Sequence, residues 1–235
     1  MLVLAVDCTA KSVSAALADS GKLIGESFLN VNFTHSETLM PIIEELLKNT
    51  RKNINDIDAF AITAGPGSFT GVRIGISAVK GLAFGNGSKV FSYSAFDAMA
   101  YAFSEIPNFS GIICGLMDAR CNQFYNAVFE IKNGKIKRIC NDRIIMANDL
   151  ENEVERLYNK DNVVFAGDGA KLFVSLQNKS FGSLAPENLL IQRASSIALK
   201  ASTEDIKNAL SPDEIMPIYL RKSQAEREKE KRDKI

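Results

Sequence analysis

Residues 2–29, LVLAVDCTAKSVSAALADSGKLIGESFL, decide the fold. Residues 2–6 are continuously apolar and run into the polar Asp7-Cys8-Thr9, as a buried strand does where it stops at a turn. Residues 12–17 alternate, with Val13, Ala15 and Leu17 on one face. Residues 22–29 follow the turn signal Asp19-Ser20-Gly21. Three consecutive strands joined by short turns predict an antiparallel meander. A dinucleotide-binding domain does not open in this way.

Further along, Thr34 and Glu37 match a T-x-x-E capping box, and Leu39, Met40, Ile42, Ile43, Leu46 and Leu47 recur at helical spacing. Pro41 falls inside that pattern and predicts a kink or a strained first turn. Residues 57–63 read as a strand, 65–71 as a glycine-rich loop, 72–84 as a second apolar helix, 90–92 as a short strand and 95–103 as a helix. This order, βββαβαβα, is the half-domain pattern of the α/β actin/hexokinase-like (ASKHA) fold. The second half is more broken. A strand at 111–117 precedes a hairpin of 123–131 with 135–145 around Asn133-Gly134. A polar helix at 148–158, a strand at 163–166 and helices near 170–177 and 194–201 follow. The expected organisation is an actin-like lobe at 1–104, a reduced lobe at 105–220 and a charged flexible tail at 221–235. Pro107 and Asn108 mark the division, and no internal repeat is visible in the sequence.

The 235 residues carry 28 basic and 28 acidic side chains. With no net field to hold nucleic acid, any RNA contact is expected through a local patch or a partner. Apolar residues make up 46% and charged residues 24%, the balance of an ordinary globular chain. Cys8, Cys114, Cys121 and Cys140 show no C-x-x-C spacing and no neighbouring histidine. They predict buried free thiols in a reducing compartment, not a zinc site or a disulfide framework. The start has no basic signal-peptide region, and no run approaches the ~18–20 apolar residues of a membrane span, so a cytoplasmic location off the membrane is expected.

His35 is the only histidine. Without H-E-x-x-H or an orienting acid it is read as a helix-terminus or interface residue, not a ligand or base. Asp7 and Thr9 stand where active members of the superfamily organise magnesium and phosphate, but the turn 8–12 has no glycine to let a phosphate approach the backbone. The loop AGPGSFTGVR at 64–73 is neither a Walker A loop nor a G-x-G-x-x-G fingerprint. Two readings stay open for it: a helix start that receives an anion, or a tight strand-to-helix turn in which Gly71 permits close packing. Asp7, Thr9, Gly65, Gly67 and Ser68 are therefore the candidates for a vestigial phosphate site. No catalytic residue and no metal site is predicted.

The two apolar helices carry the other clue. Leu39, Ile43 and Leu46 make one stripe with Met40 and Leu47 beside it; Val72, Ile76 and Val79 make another, with Ile74 on a second face. One face covers the sheet, and the other asks for a second molecule or a wider internal core. Arg73 opposes the helix dipole unless it meets an acid or a partner. His35, Leu39, Met40, Ile43, Leu46, Leu47, Val72, Arg73, Ile74, Ile76 and Val79 are the candidate partner interface. Left unpartnered, such a patch predicts a homodimer.

The segments LAVDCTAKSVSAAL, HSETLMPIIEELL, GPGSFTGVRIGISAVKGLAFG, DARCNQFY and PIYLRKSQAE resemble the TsaB (YeaZ) family in order and spacing, over nearly the whole chain. The resemblance implies a non-catalytic partner subunit for tRNA threonylcarbamoyladenosine formation. It implies pairing with a TsaD-like transferase, which modifies an adenosine beside the tRNA anticodon, and with a TsaE-like ATPase. ATP and a metal are then expected on those partners and no cofactor on this chain, with tRNA met mainly through the complex. The paired histidines that hold metal in TsaD have no counterpart here, and Cys8 stands where the family commonly has a hydroxyl residue. The alternative is an autonomous ASKHA-type ATPase or small-molecule kinase. A glycoprotease activity has no support in these residues.

Overall fold

The computed structural model describes residues 1–31, 33–157, 162–179 and 181–221. The last residue of the polar helix expected at 148–158, and the expected tail beyond Arg221, lie outside the described residues. Strands β1 (Leu2–Asp7), β2 (Val13–Asp19) and β3 (Lys22–Leu29) form the expected antiparallel meander, with Leu4 opposite Leu17. β4 (Ala59–Thr63) adds parallel to β1, and β5 (Lys89–Tyr93) parallel to β4. The sheet order is β3-β2-β1-β4-β5.

The second sheet comprises β6 (Ser110–Asp118), β7 (Gln123–Lys132), β8 (Lys135–Met146), β9 (Val163–Ala166) and β10 (Ser183–Leu184). Its order is β10-β9-β6-β7-β8, again an antiparallel meander with two parallel additions beside its first strand. The two lobes thus repeat one topology, the actin/hexokinase-like one, although the sequence shows no repeat. Apolar alternation and connection length fix strand order, and many unrelated side chains satisfy both. Asn133 and Gly134 close the β7–β8 hairpin with φ of 51° and 75°, as an Asn-Gly turn requires.

Seven helices are described: α1 (His35–Thr50), α2 (Phe69–Asn86), α3 (Ala95–Ser104), α4 (Ala147–Leu157), α5 (Ala170–Leu176), α6 (Glu187–Leu190) and α7 (Ala194–Thr203). Glu37 accepts the Thr34 backbone N–H at 3.0 Å, so the capping box starts α1 as expected. The helix is continuous through Pro41, which lies on its exposed side. α2 begins earlier than its apolar period suggests because Ser68 caps it, accepting the Gly71 N–H at 3.3 Å. It ends at Gly87, in the left-handed region at φ 69°. Among the described residues no helix is long and apolar enough to cross a membrane.

Both faces of the first sheet are covered. On one, Leu4, Val6, Ala15, Leu17, Phe60 and Ile62 pack with α1 and α2. On the other, Val3, Ala5, Ala16, Ala18, Ala59 and Ala61 meet Ala194, Ile197, Ala198 and Ala201 of α7. α7 lies within the stretch 105–220 expected as the second lobe, yet it packs on the first sheet. The physical reason lies in α3, whose Phe96, Met99 and Phe103 are spent in the core of the second sheet. The second face of the first sheet therefore waits for a helix from the far end of the chain, and its alanines let that helix approach closely.

Candidate functional site

The end of β1 and the turn after it form a closed polar knot. Asp7 is buried and accepts the Thr63 hydroxyl at 2.6 Å, the Thr9 N–H at 3.0 Å and the Thr9 hydroxyl at 3.0 Å. Burial nonetheless dominates and pushes its carboxyl up to about 6. Gln192, just before α7, donates to the Thr9 hydroxyl at 2.7 Å. His35 reaches across from the start of α1, its Nε2 3.1 Å from the Ala10 carbonyl and 3.2 Å from that of Ser12. Two acceptors fix the proton on Nε2, so the only histidine staples the turn to α1.

The glycine loop closes on the same turn. The Ser68 N–H donates to the Thr9 carbonyl at 2.7 Å. A Cβ on Gly67 would lie 2.2 Å from that carbonyl oxygen, and one on Gly71 2.1 Å from the oxygen of Cys8. Of the two readings of this loop, the tight packing turn matches this geometry. Asp7, Thr9, Gly67 and Ser68 do come together, but the helix start meets the chain's own carbonyls where a phosphate would need open amides. Gly65 is occupied differently, with its Cβ position 2.7 Å from the Ile218 carbonyl oxygen. The vestigial phosphate site thus remains a reading of these five residues, with the Ser68 amide already bonded to the Thr9 carbonyl. Among the described residues no group of three or more His, Cys, Asp or Glu side chains is placed to hold a metal.

The candidate partner residues divide. Leu39, Ile43, Leu46, Val72, Ile76 and Val79 are buried against their own sheet. Met40 and Arg73 are exposed, while His35, Leu47 and Ile74 are half-buried. The structure adds side chains that the stripe analysis missed. Phe84 is 81% exposed, Met216 69% and Phe33 68%. Phe84 escaped notice because it sits near the end of a helix that is apolar on several sides. Arg73 finds neither an acid nor a void: its guanidinium lies 4.4 Å over the Phe69 ring, and its Nε donates to the Tyr219 hydroxyl at 2.8 Å. The Tyr219 ring stacks on Phe69 at 4.2 Å.

The matching turn of the second lobe, between β6 and β7, is built in the opposite manner. Arg120, Cys121 and Asn122 carry φ of 70°, 55° and 56°, a left-handed run costing roughly 1–2 kcal/mol per ordinary residue. All three are exposed. The Arg120 N–H donates to the Asp118 carboxylate at 2.7 Å, and Arg221 donates to the Ala119 carbonyl at 2.7 Å. Nearby Asp168, after β9, has one buried oxygen without a partner among the described residues. Burial, with Asp118 and Asp7 adding to it, pushes its carboxyl up to about 6, against the pull of Lys11. Cys121 corrects the expectation of four buried thiols. Cys8 and Cys114 are buried, Cys140 is half-buried and Cys121 is exposed; all four are free.

Comparison with known proteins bears on this arrangement. Residues 30–229 match the family model described as TsaD, tRNA N6-adenosine threonylcarbamoyltransferase. The chain is 31% identical over 227 residues to the tRNA threonylcarbamoyladenosine biosynthesis protein TsaB of Haemophilus influenzae, covering 94% of each. It is 30% identical over 233 residues to that of Bacillus subtilis, covering 96% of each. The solved structure of YeaZ from Pseudomonas aeruginosa superposes with a TM-score of 0.76 at 23% identity, over 93% of this chain and 99% of that one.

Proposed function

The chain belongs to the TsaB (YeaZ) family of tRNA threonylcarbamoyladenosine biosynthesis proteins, and on that premise we propose that it is a non-catalytic partner subunit. It pairs with a TsaD-like transferase and works beside a TsaE-like ATPase in the cytoplasm. ATP and metal sit on those partners, and tRNA is met mainly through the complex.

The observation that carries this reading is the set of exposed apolar side chains beside and on α1 and α2, namely Phe33, Met40, Phe84 and Met216. The closed knot at Asp7 and Thr9 supports it further, because the first turn offers a phosphate few free donors. The same side chains pair two copies of the chain when no transferase is present, so homodimer and heterodimer compete.

The test is sedimentation of the wild type and of a Met40→Glu/Phe84→Glu variant, each alone and with a TsaD-like transferase. Burying an unpaired carboxylate costs several kcal/mol, so the variant should remain folded by circular dichroism, run as a monomer and capture no transferase. A folded variant that still pairs moves the interface elsewhere. The convergence of Asp7, Asp118, Asp168 and Lys11 at the turn ends favours a second reading, an autonomous ATPase. ATP turnover by the purified chain alone separates the two.

A further inference from the structure

The segment 215–221 belongs to neither sheet, yet it ties both lobes together. Ile215 is buried in the core under α2. The Ile218 N–H donates to the Ala64 carbonyl at 2.7 Å, and its own carbonyl fills the space where a Gly65 Cβ would stand. Tyr219 then stacks on Phe69 and accepts from Arg73. Two residues later Arg221 crosses to the second lobe and donates to the Ala119 carbonyl at 2.7 Å. Ala119 opens the turn in which Arg120, Cys121 and Asn122 hold positive φ. Ordinary residues leave that region unless something holds them there.

We propose that residues 215–221 are a clasp through which the Phe69–Arg73–Tyr219 stack on α2 sets the conformation of the turn at Ala119–Asn122. Arg73 and Tyr219 of the stack are exposed, so a second molecule can reach this grip on the clasp. A protein that docks there and draws Tyr219 or Arg73 out of the stack shifts Arg221 and loosens the turn; one that presses on the stack tightens it. The coupling is a property of the isolated chain and holds whether or not the partner assignment does.

Amide hydrogen exchange on the full chain tests it, with the β1–β2 amides as internal reference. The turn has its own protected amides, since the Ala119 N–H donates to the Gln123 carbonyl and the Gln123 N–H to that of Arg120. Arg221→Ala removes a charge-assisted hydrogen bond and should speed exchange across 119–123 about tenfold, leaving the reference unchanged. Phe69→Leu removes the ring on which Tyr219 stacks and should speed the same amides, and the double variant should exceed Arg221→Ala little, because both act through one element. Unaltered exchange at 119–123 in Arg221→Ala overturns the clasp. So does an effect of Arg221→Ala that Phe69→Leu fails to reproduce, or full additivity in the double variant.

Discussion

The two lobes place corresponding turns after their first strands and treat them oppositely. The turn after β1 is buried, and its donors and acceptors are spent on Thr63, His35, Ser68 and Gln192. The turn after β6 is exposed, and it holds three successive residues in a left-handed conformation. One copy of the topology has been closed into a structural joint while the other keeps a conformation that costs free energy. Strain of that kind persists where the surroundings enforce it, and that marks the second turn as the more informative place to look for function.

If the first turn is a packed joint, it cannot tolerate one extra methyl. Gly71→Ala puts a Cβ against the Cys8 carbonyl oxygen, a backbone atom with nowhere to go, and should cost about 3–4 kcal/mol. Gly81→Ala on the same helix meets nothing within 4 Å and should gain about 0.5–1 kcal/mol. Thermal denaturation reads both. A Gly71→Ala protein melting within a degree or two of the wild type would mean the joint is looser than its geometry.

Asp168, in the second lobe, answers to charge. The Asp168 carboxyl is raised to about 6 from 3.8, so the folded state holds its proton more tightly than the unfolded chain. Stability from this group is therefore fully present below about pH 4 and is lost as pH rises through about 6. Asp168→Asn should stabilise the protein at pH 7 by about 1–3 kcal/mol, with the gain vanishing near pH 4. Denaturant melts at both pH values decide it, and an equal effect at the two would remove burial as the cause. His35→Ala, which leaves the Ala10 and Ser12 carbonyls without their donor, should cost about 1–2 kcal/mol in the same denaturant melts. Smallest is Cys121→Gly in the left-handed run. It relieves strain but loosens the unfolded chain, for a net gain of about 0.5 kcal/mol. A destabilised glycine variant would show that the side chain of Cys121, not its backbone, matters to the fold.

The strands and the first helices were legible because each carries a local period: alternation in 12–17, helical recurrence from Leu39 to Leu47, and the Asn133-Gly134 turn. Local period also misled, since it could show that α1 and α2 were rich in apolar residues but not which of them the sheet already used. Leu39 and Val79 went inward; Phe84 did not. Gln192 and Tyr219 touch partners more than a hundred residues away, and Asp168 one fifty residues away, and nothing in their neighbours announces them. Asp168 had one readable signal, an acid between two glycines directly after a strand.

The return of α7 to the first sheet has a consequence for how the protein is made. A ribosome adds ~5–20 residues per second, and about a hundred residues separate Tyr93 from Ala194, so roughly 5–20 s pass between them. During that interval the alanine-lined face of the nascent first sheet still lacks α7. The lobe that begins the chain is thus the last to be completed. A transcript cut short before codon 194 yields a product that cannot seal its own centre and becomes a client for chaperones or proteases.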